Sequence, residues 1–255
     1  MRVIGQGQQV MLFAHGFGCD QHAWERLIPA FSSDYKLVLF DYVGSGKADS
    51  SAYNSLKYGS LDGYAQDLTD ICQALQIQNA VFVGHSVSCM IGALVSIAHP
   101  SFFQQLIFIG PSPCYLNKLG YTGGFEPEDL DALFELMDDD YIVWAKAMAP
   151  SIMGSKNTLS LGEELGDSFC AMDPAIAKSF ARVTFLSDNR ADLPAIVRKN
   201  LTLQCSEDMI APLEVGNYIH ENTPNSTLVI LKATGHCPHM SAPQETIDAM
   251  KFFLQ

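Results

Sequence analysis

Six short apolar runs, rich in β-branched and aromatic residues, punctuate the 255-residue chain at 10–14, 37–40, 80–83, 106–109, 201–204 and 227–231. Between most of them the apolar residues recur with helical spacing, at 21–31, 61–75, 87–98, 212–221 and 243–253. A strand apolar at consecutive positions must be covered on both faces, and a connection long enough to hold a helix makes its flanking strands parallel. The alternation therefore predicts an α/β fold, a mostly parallel sheet with helices on both faces. Ligands of such sheets bind beyond the carboxyl ends of the strands. One brief edge strand fits before Val10.

The alternation is interrupted once. From about 114 to 193 no strand pattern occurs and four helical stretches follow one another, which reads as a helical cap (114–193) inserted into a single domain spanning 1–255. Pro127 suits a first-turn position, with Glu128 and Asp129 at the positive end of the helix dipole. Asp173-Pro174 reads as an N-cap followed by the first helical residue.

Charge excludes one class of partner. Lys and Arg total 15 against 28 Asp and Glu, so the net charge of -13 repels polyanions, and nucleic acid is not an expected partner. No apolar run approaches the ~18 residues of a membrane span, and the first residues lack the apolar stretch of a secretory signal. The expectation is a cytoplasmic protein without a membrane partner. The seven cysteines are odd in number and never spaced C-x-x-C, so neither a disulfide framework nor a metal site is indicated.

The sharpest local signal is Val81-Phe82-Val83-Gly84-His85-Ser86-Val87-Ser88, a strand running into a tight turn and then a helix. Ser86 in such an elbow is lifted above the sheet in a strained conformation, which demands small residues two positions to either side. Gly84 meets the demand; Ser88 stands where a second glycine is usual. The competing reading of Ser86 is a helix cap.

A serine hydroxyl attacks only when a base removes its proton. Of the seven histidines, His236 alone follows directly on the last strand, which brings it to the same rim of the sheet. His239 is the decoy, a loop or packing residue. The base needs a carboxylate to hold its tautomer, and Asp208 after the preceding strand is the choice, with its neighbour Glu207 as the alternative. The order Ser, Asp, His then follows along the chain. Two N–H donors must face the developing oxyanion, and Val87 and Phe17 are placed to supply them. Asp41 is expected to tie down the turn at 44–46. The string 44–48 fails as a phosphate loop and 16–21 fails as a dinucleotide fingerprint, so no cofactor is expected.

Taken together, HGFGCDQ (15–21), FDYVGSG (40–46), LDGYAQD (61–67), GHSVS (84–88), GPSPCYLN (110–117), GGFE (123–126) and the strings at 204–212 and 235–241 cover almost the whole chain. In them the sequence resembles the α/β-hydrolase branch that joins the bacterial stress-response regulator RsbQ to the plant karrikin and strigolactone receptors, with the RsbQ side closer. The resemblance implies a four-helix cap over an apolar pocket walled by Phe17, His85, Phe125, Trp144, Met148, Phe169, Phe185 and Met209. It implies slow turnover serving signalling. Two readings follow: a serine hydrolase acting on a small hydrophobic ester or lactone, and a ligand-binding module that docks a signalling protein partner, with catalysis secondary. A perhydrolase or carbon-carbon hydrolase on the same fold stays open.

Overall fold

The computed structural model describes residues 1–255. The apolar runs become β2 (Gln9–Ala14), β3 (Tyr35–Leu39), β4 (Ala80–His85), β5 (Phe103–Ile109), β6 (Lys199–Glu207) and β7 (Ser226–Thr234), preceded by the edge strand β1 (Arg2–Ile4). They form one seven-stranded sheet in the order β1-β3-β2-β4-β5-β6-β7. Every pairing is parallel except that of β1 with β3.

Side chains alternate across the pleat and build two cores. Leu12, Val38, Phe82, Leu106 and Phe108 face α2 (Leu61–Ala74), α3 (Val87–Ala98) and α8 (Leu213–Asn222). Met11, Leu37, Val83, Ile107 and Leu203 face α1 (Ile28–Phe31) and α9 (Pro243–Leu254).

The stretch 21–31 departs from the single helix its spacing predicts. It is a 3₁₀ turn, Gln21–Trp24, capped by the Asp20 carboxylate, then the one-turn α1. Trp24, Leu27 and Phe31 still reach one core.

Between β5 and β6 lie α4 (Pro127–Asp139), α5 (Tyr141–Met153), α6 (Leu159–Cys170) and α7 (Pro174–Leu186). Their starts are as punctuated as the sequence suggests. Glu126 and Asp129 form a reciprocal capping box around Pro127, and Asp173 accepts from the N–H groups of Ala175 and Ile176. Their buried residues, among them Leu130, Trp144, Phe169 and Phe180, join the same cluster as Tyr64, Phe82 and Val87 on one face of the sheet. No helix is long and apolar enough to cross a membrane.

Candidate active site

Parallel pairing brings the carboxyl ends of β2, β4, β6 and β7 to one rim, and the candidate residues sit in the four turns that leave it. At the end of β4 the chain must reverse into α3 within one residue, and Ser86 takes the strain with φ 55 and ψ -125. A Cβ on Gly84 would lie 2.9 Å from the Ser88 carbonyl, which is why that position is bare. Ser88 is not idle. Its hydroxyl donates to the His15 carbonyl and meets the Tyr42 hydroxyl at 3.0 Å, tying the elbow to the loop after β2.

His236 enters from the turn after β7. Its Nε2 lies 2.8 Å from Ser86 Oγ, and its Nδ1 lies 2.8 Å from Asp208 Oδ2. Because a carboxylate only accepts, Nδ1 carries the proton and Nε2 is free to receive one. The Asp208 side chain is fully buried, and its other oxygen accepts from the N–H groups of Ile210 and Ala211 at 2.9 and 3.1 Å. Glu207, left open by the sequence, faces outward to Lys156. The β6–β7 register shifts between Cys205 and Glu207, and such an irregularity re-aims the side chains that follow. The His236 N–H donates to the Ile152 carbonyl at 2.8 Å, so the last turn of α5 also holds the imidazole loop.

The candidate donors for an oxyanion are backbone groups. Val87 opens α3, where a first-turn N–H has no partner within the helix. Phe17 lies in the loop after β2, pressed so closely on the elbow that a Cβ on Gly16 would come within 2.5 Å of His85 Nδ1. His15 anchors this loop: Tyr42 N–H donates to its Nε2 at 3.2 Å, and burial holds its pKa below the ordinary value. Asp41 accepts from the Gln21 main chain and side chain and from Lys47 N–H, at 2.8, 2.7 and 3.1 Å. Burial works to raise its pKa, but those bonds overcome it and the carboxylate lies below its usual value.

The cavity over Ser86 measures about 30 Å³ and is lined by Phe17, Ser86, Tyr115, Ile152, Phe169, Thr184, Phe185, Ile210 and His236. By the measure that a water needs roughly 10–15 Å³, it holds on the order of two waters. Of the expected wall, Phe17, Phe169 and Phe185 are in place. Trp144 stands one layer out, against Phe169 at 5.5 Å between ring centroids, as does Phe125 against Phe185 at 5.6 Å. Met148 is partly buried against the apolar cluster that α4–α7 share with one face of the sheet. Two assignments are corrected. Met209 is 47 % exposed, on an outer groove behind the Asp208 loop, because the turn after β6 points it away from the rim. His85 lies beneath the elbow, donating from Nε2 to the His236 carbonyl at 2.9 Å, because the residue before the turn still points as the strand dictates.

Tyr115 escaped the sequence reading. Its buried hydroxyl lies 3.4 Å from Ser86 Oγ, and burial raises its pKa, so it is a neutral donor or acceptor beside the serine. The string GPSPCYLN around it was the available signal. His239 is buried and packs against Trp24 at 4.6 Å and His85 at 4.4 Å between ring centroids, with burial pushing its pKa far down, which fits the packing role expected of it. Chemically, the rim presents a hydroxyl whose proton can pass to an imidazole held by a carboxylate, an arrangement suited to acyl transfer.

A family model described as alpha/beta hydrolase family matches residues 11–249. A probable esterase from Oryza sativa subsp. japonica is 37 % identical, covering 100 % of this chain and 95 % of its own. Karrikin insensitive 2 receptor CA from Petunia hybrida is 37 % identical over 98 % of this chain and 93 % of its own. Among solved structures, a hydrolase from Oleispira antarctica has a TM-score of 0.97 at 41 % identity, over 100 % of this chain and 93 % of that one.

Proposed function

The chain belongs to the alpha/beta hydrolase family, and from that premise we propose that it is a serine hydrolase cleaving a small apolar ester or lactone through an acyl-enzyme. Ser86 attacks the carbonyl carbon while His236 Nε2 takes its proton. The oxyanion receives the N–H groups of Phe17 and Val87, and Asp208 steadies the imidazolium. His236 then protonates the leaving oxygen and, in the second half, activates the water that releases the acid.

The observation that carries this reading is the unbroken relay from Ser86 through His236 to Asp208, at 2.8 Å and 2.8 Å, on a serine strained to φ 55. The substrate class follows from the cavity. Its lining holds no Lys, Arg, Asp or Glu, which disfavours charged substrates, and about 30 Å³ beside Ser86 favours a short acyl group. Residues 114–193 are read as the cap that sets this limit.

With p-nitrophenyl acetate as substrate, Ser86→Ala is expected to lower kcat by about 10⁴-fold or more. An unchanged rate in the folded variant overturns the mechanism.

The receptor named among the relatives favours a second reading, in which ligand in the pocket alters the cap and docks a signalling partner. A Ser86→Ala protein that abolishes hydrolysis yet keeps the full cellular response would favour that reading over the first.

A further inference from the structure

Four polar side chains line the cavity over Ser86, and three of them are occupied with one another. The one proton of Ser86 goes to His236 Nε2 at 2.8 Å, so the Tyr115 hydroxyl, at 3.4 Å, is left to donate to Ser86 Oγ. The fourth is Thr184, in the last turn of α7. It is 2 % exposed, and its Oγ1 has no hydrogen-bond partner. Among the buried hydroxyls in that condition, it alone lines this cavity.

A hydroxyl inside a helix has an easy remedy, a bond to the carbonyl four residues back. Thr246 Oγ1 donates to the Ala242 carbonyl at 3.1 Å, and in α7 itself Ser179 Oγ donates to the Ala175 carbonyl at 3.0 Å. Thr184 makes no such bond. A buried hydroxyl left unpaired is costly to a fold. Its place is nonetheless fixed. Ser187 donates to the Thr184 carbonyl from its N–H and its Oγ, at 3.4 and 2.8 Å, and the adjacent Phe185 packs on Tyr115 at 5.0 Å between ring centroids. Just beyond α7, Asn189 N–H donates to the Pro113 carbonyl at 2.6 Å, which ties this end of the helix to the loop that carries Tyr115.

We propose that Thr184 is a specificity-determining residue whose hydroxyl pairs with an oxygen on the acyl chain, so that the preferred substrates are esters of short hydroxy acids. The inference rests on the hydrolase reading above and narrows its substrate class. With the ester carbonyl carbon at Ser86 and its oxygen at the N–H groups of Phe17 and Val87, the acyl chain extends toward the cap wall, where Thr184 stands with Ile152, Phe169 and Phe185. Room for on the order of two waters matches the glycolyl group, which carries a methylene and a hydroxyl beyond its carbonyl. The propionyl group has the same shape with a methyl in place of that hydroxyl, and leaves Thr184 unpaired. A site built to pair a hydroxyl rejects the isostere lacking it more strongly than an apolar pocket rejects a methylene.

The test compares methyl glycolate with methyl propionate, acid release being followed in a pH-stat. The two esters differ in intrinsic reactivity, so the quantity read is the ratio of their kcat/KM values in each variant against the same ratio in the parent. Thr184→Val keeps the shape but removes the hydroxyl, and should lower the glycolate-to-propionate ratio about tenfold. By removing an unpaired buried group it should also raise Tm by roughly 2–6 °C. Thr184→Ser keeps the hydroxyl and should hold the ratio within about threefold of the parent. Thr202→Val removes another buried, unpaired hydroxyl, in β6 and away from the cavity, and should leave the ratio unchanged. A lowered Tm in Thr184→Val with an unchanged ratio would mean that the helix satisfies the hydroxyl, and overturns the proposal. So does a ratio that falls alike in Thr202→Val. A chain that hydrolyses neither ester sinks the hydrolase reading and the selectivity with it, whereas hydrolysis of both with no effect of Thr184→Val on the ratio sinks the role of Thr184 alone. Should Thr184→Val fail to fold, Thr184→Ser and Thr184→Ala, which differ only by the hydroxyl, decide by the same ratio.

Discussion

Around Ser86, on the sheet side of the cavity, atoms are held by hydrogen bonds: Ser86 to His236, His236 to Asp208, and Asp208 to the N–H groups of Ile210 and Ala211. On the cap side Ile152, Phe169 and Phe185 are held by packing, with Phe17 and Phe169 meeting at 5.4 Å between ring centroids. A hydrogen bond constrains direction and distance to a few tenths of an ångström, whereas apolar packing constrains volume. The rim is therefore suited to fix the reaction and the cap to fix the size of what reacts. The two sides meet where the His236 N–H donates to the Ile152 carbonyl.

The largest effect should come from the rim. Asp208→Asn keeps the shape of the site but favours the wrong imidazole tautomer, and kcat for p-nitrophenyl acetate should fall by about 10³–10⁴-fold. Glu207→Gln, one residue away on the outer surface, should change kcat by less than about twofold, since its pair with Lys156 is exposed. Equal losses in the two variants would break the assignment of the rim to Asp208.

The cap should respond in selectivity. Ile152→Ala opens the cavity from above, and kcat/KM for the propionate ester relative to the acetate should rise about tenfold, because one methylene accommodated is worth ~1–3 kcal/mol. The same change should cost about 2–4 kcal/mol of stability, read as a lowered urea midpoint, because Ile152 is buried. A variant that slows both esters alike would show that the cap positions groups as the rim does.

The smallest effect should come from the surface link between the two regions. Arg26 makes two bonds to Glu164 of α6, at 2.8 and 2.7 Å, and both side chains are well exposed, at 35 % and 43 %. Arg26→Gln should cost under ~1 kcal/mol, a fall in Tm of roughly 2–4 °C at most, shrinking as salt rises. A large fall independent of salt would mean that this pair, and not the shared apolar cluster, seats the cap.

The elbow was legible because its demands are local: a strand end, a bare Gly84 and a turn that a helix follows. His236 and Asp208 were legible because parallel strands deliver their carboxyl ends to one rim. The stretch 21–31 misled because residues three and four apart reach one core from a 3₁₀ turn and a short α-turn almost as they do from a continuous helix. The sequence preferred Asp208 but kept Glu207 as the alternative, since the register shift that sets which of the two turns inward arises only when β6 and β7 pair. Met209 was assigned to the pocket through resemblance, and His85 both through resemblance and through its place beside Ser86; the local backbone direction sends them elsewhere.

By itself the sequence determined the strand-helix alternation, the strained serine and the chain order of three polar side chains, because each depends on the period or turn chemistry of a few neighbouring residues. Tertiary structure alone decided how much space lies above the serine, which aromatic rings face it and that Tyr115 stands beside it. Those are relations between residues remote along the chain, and their distances are set by how two apolar surfaces interlock.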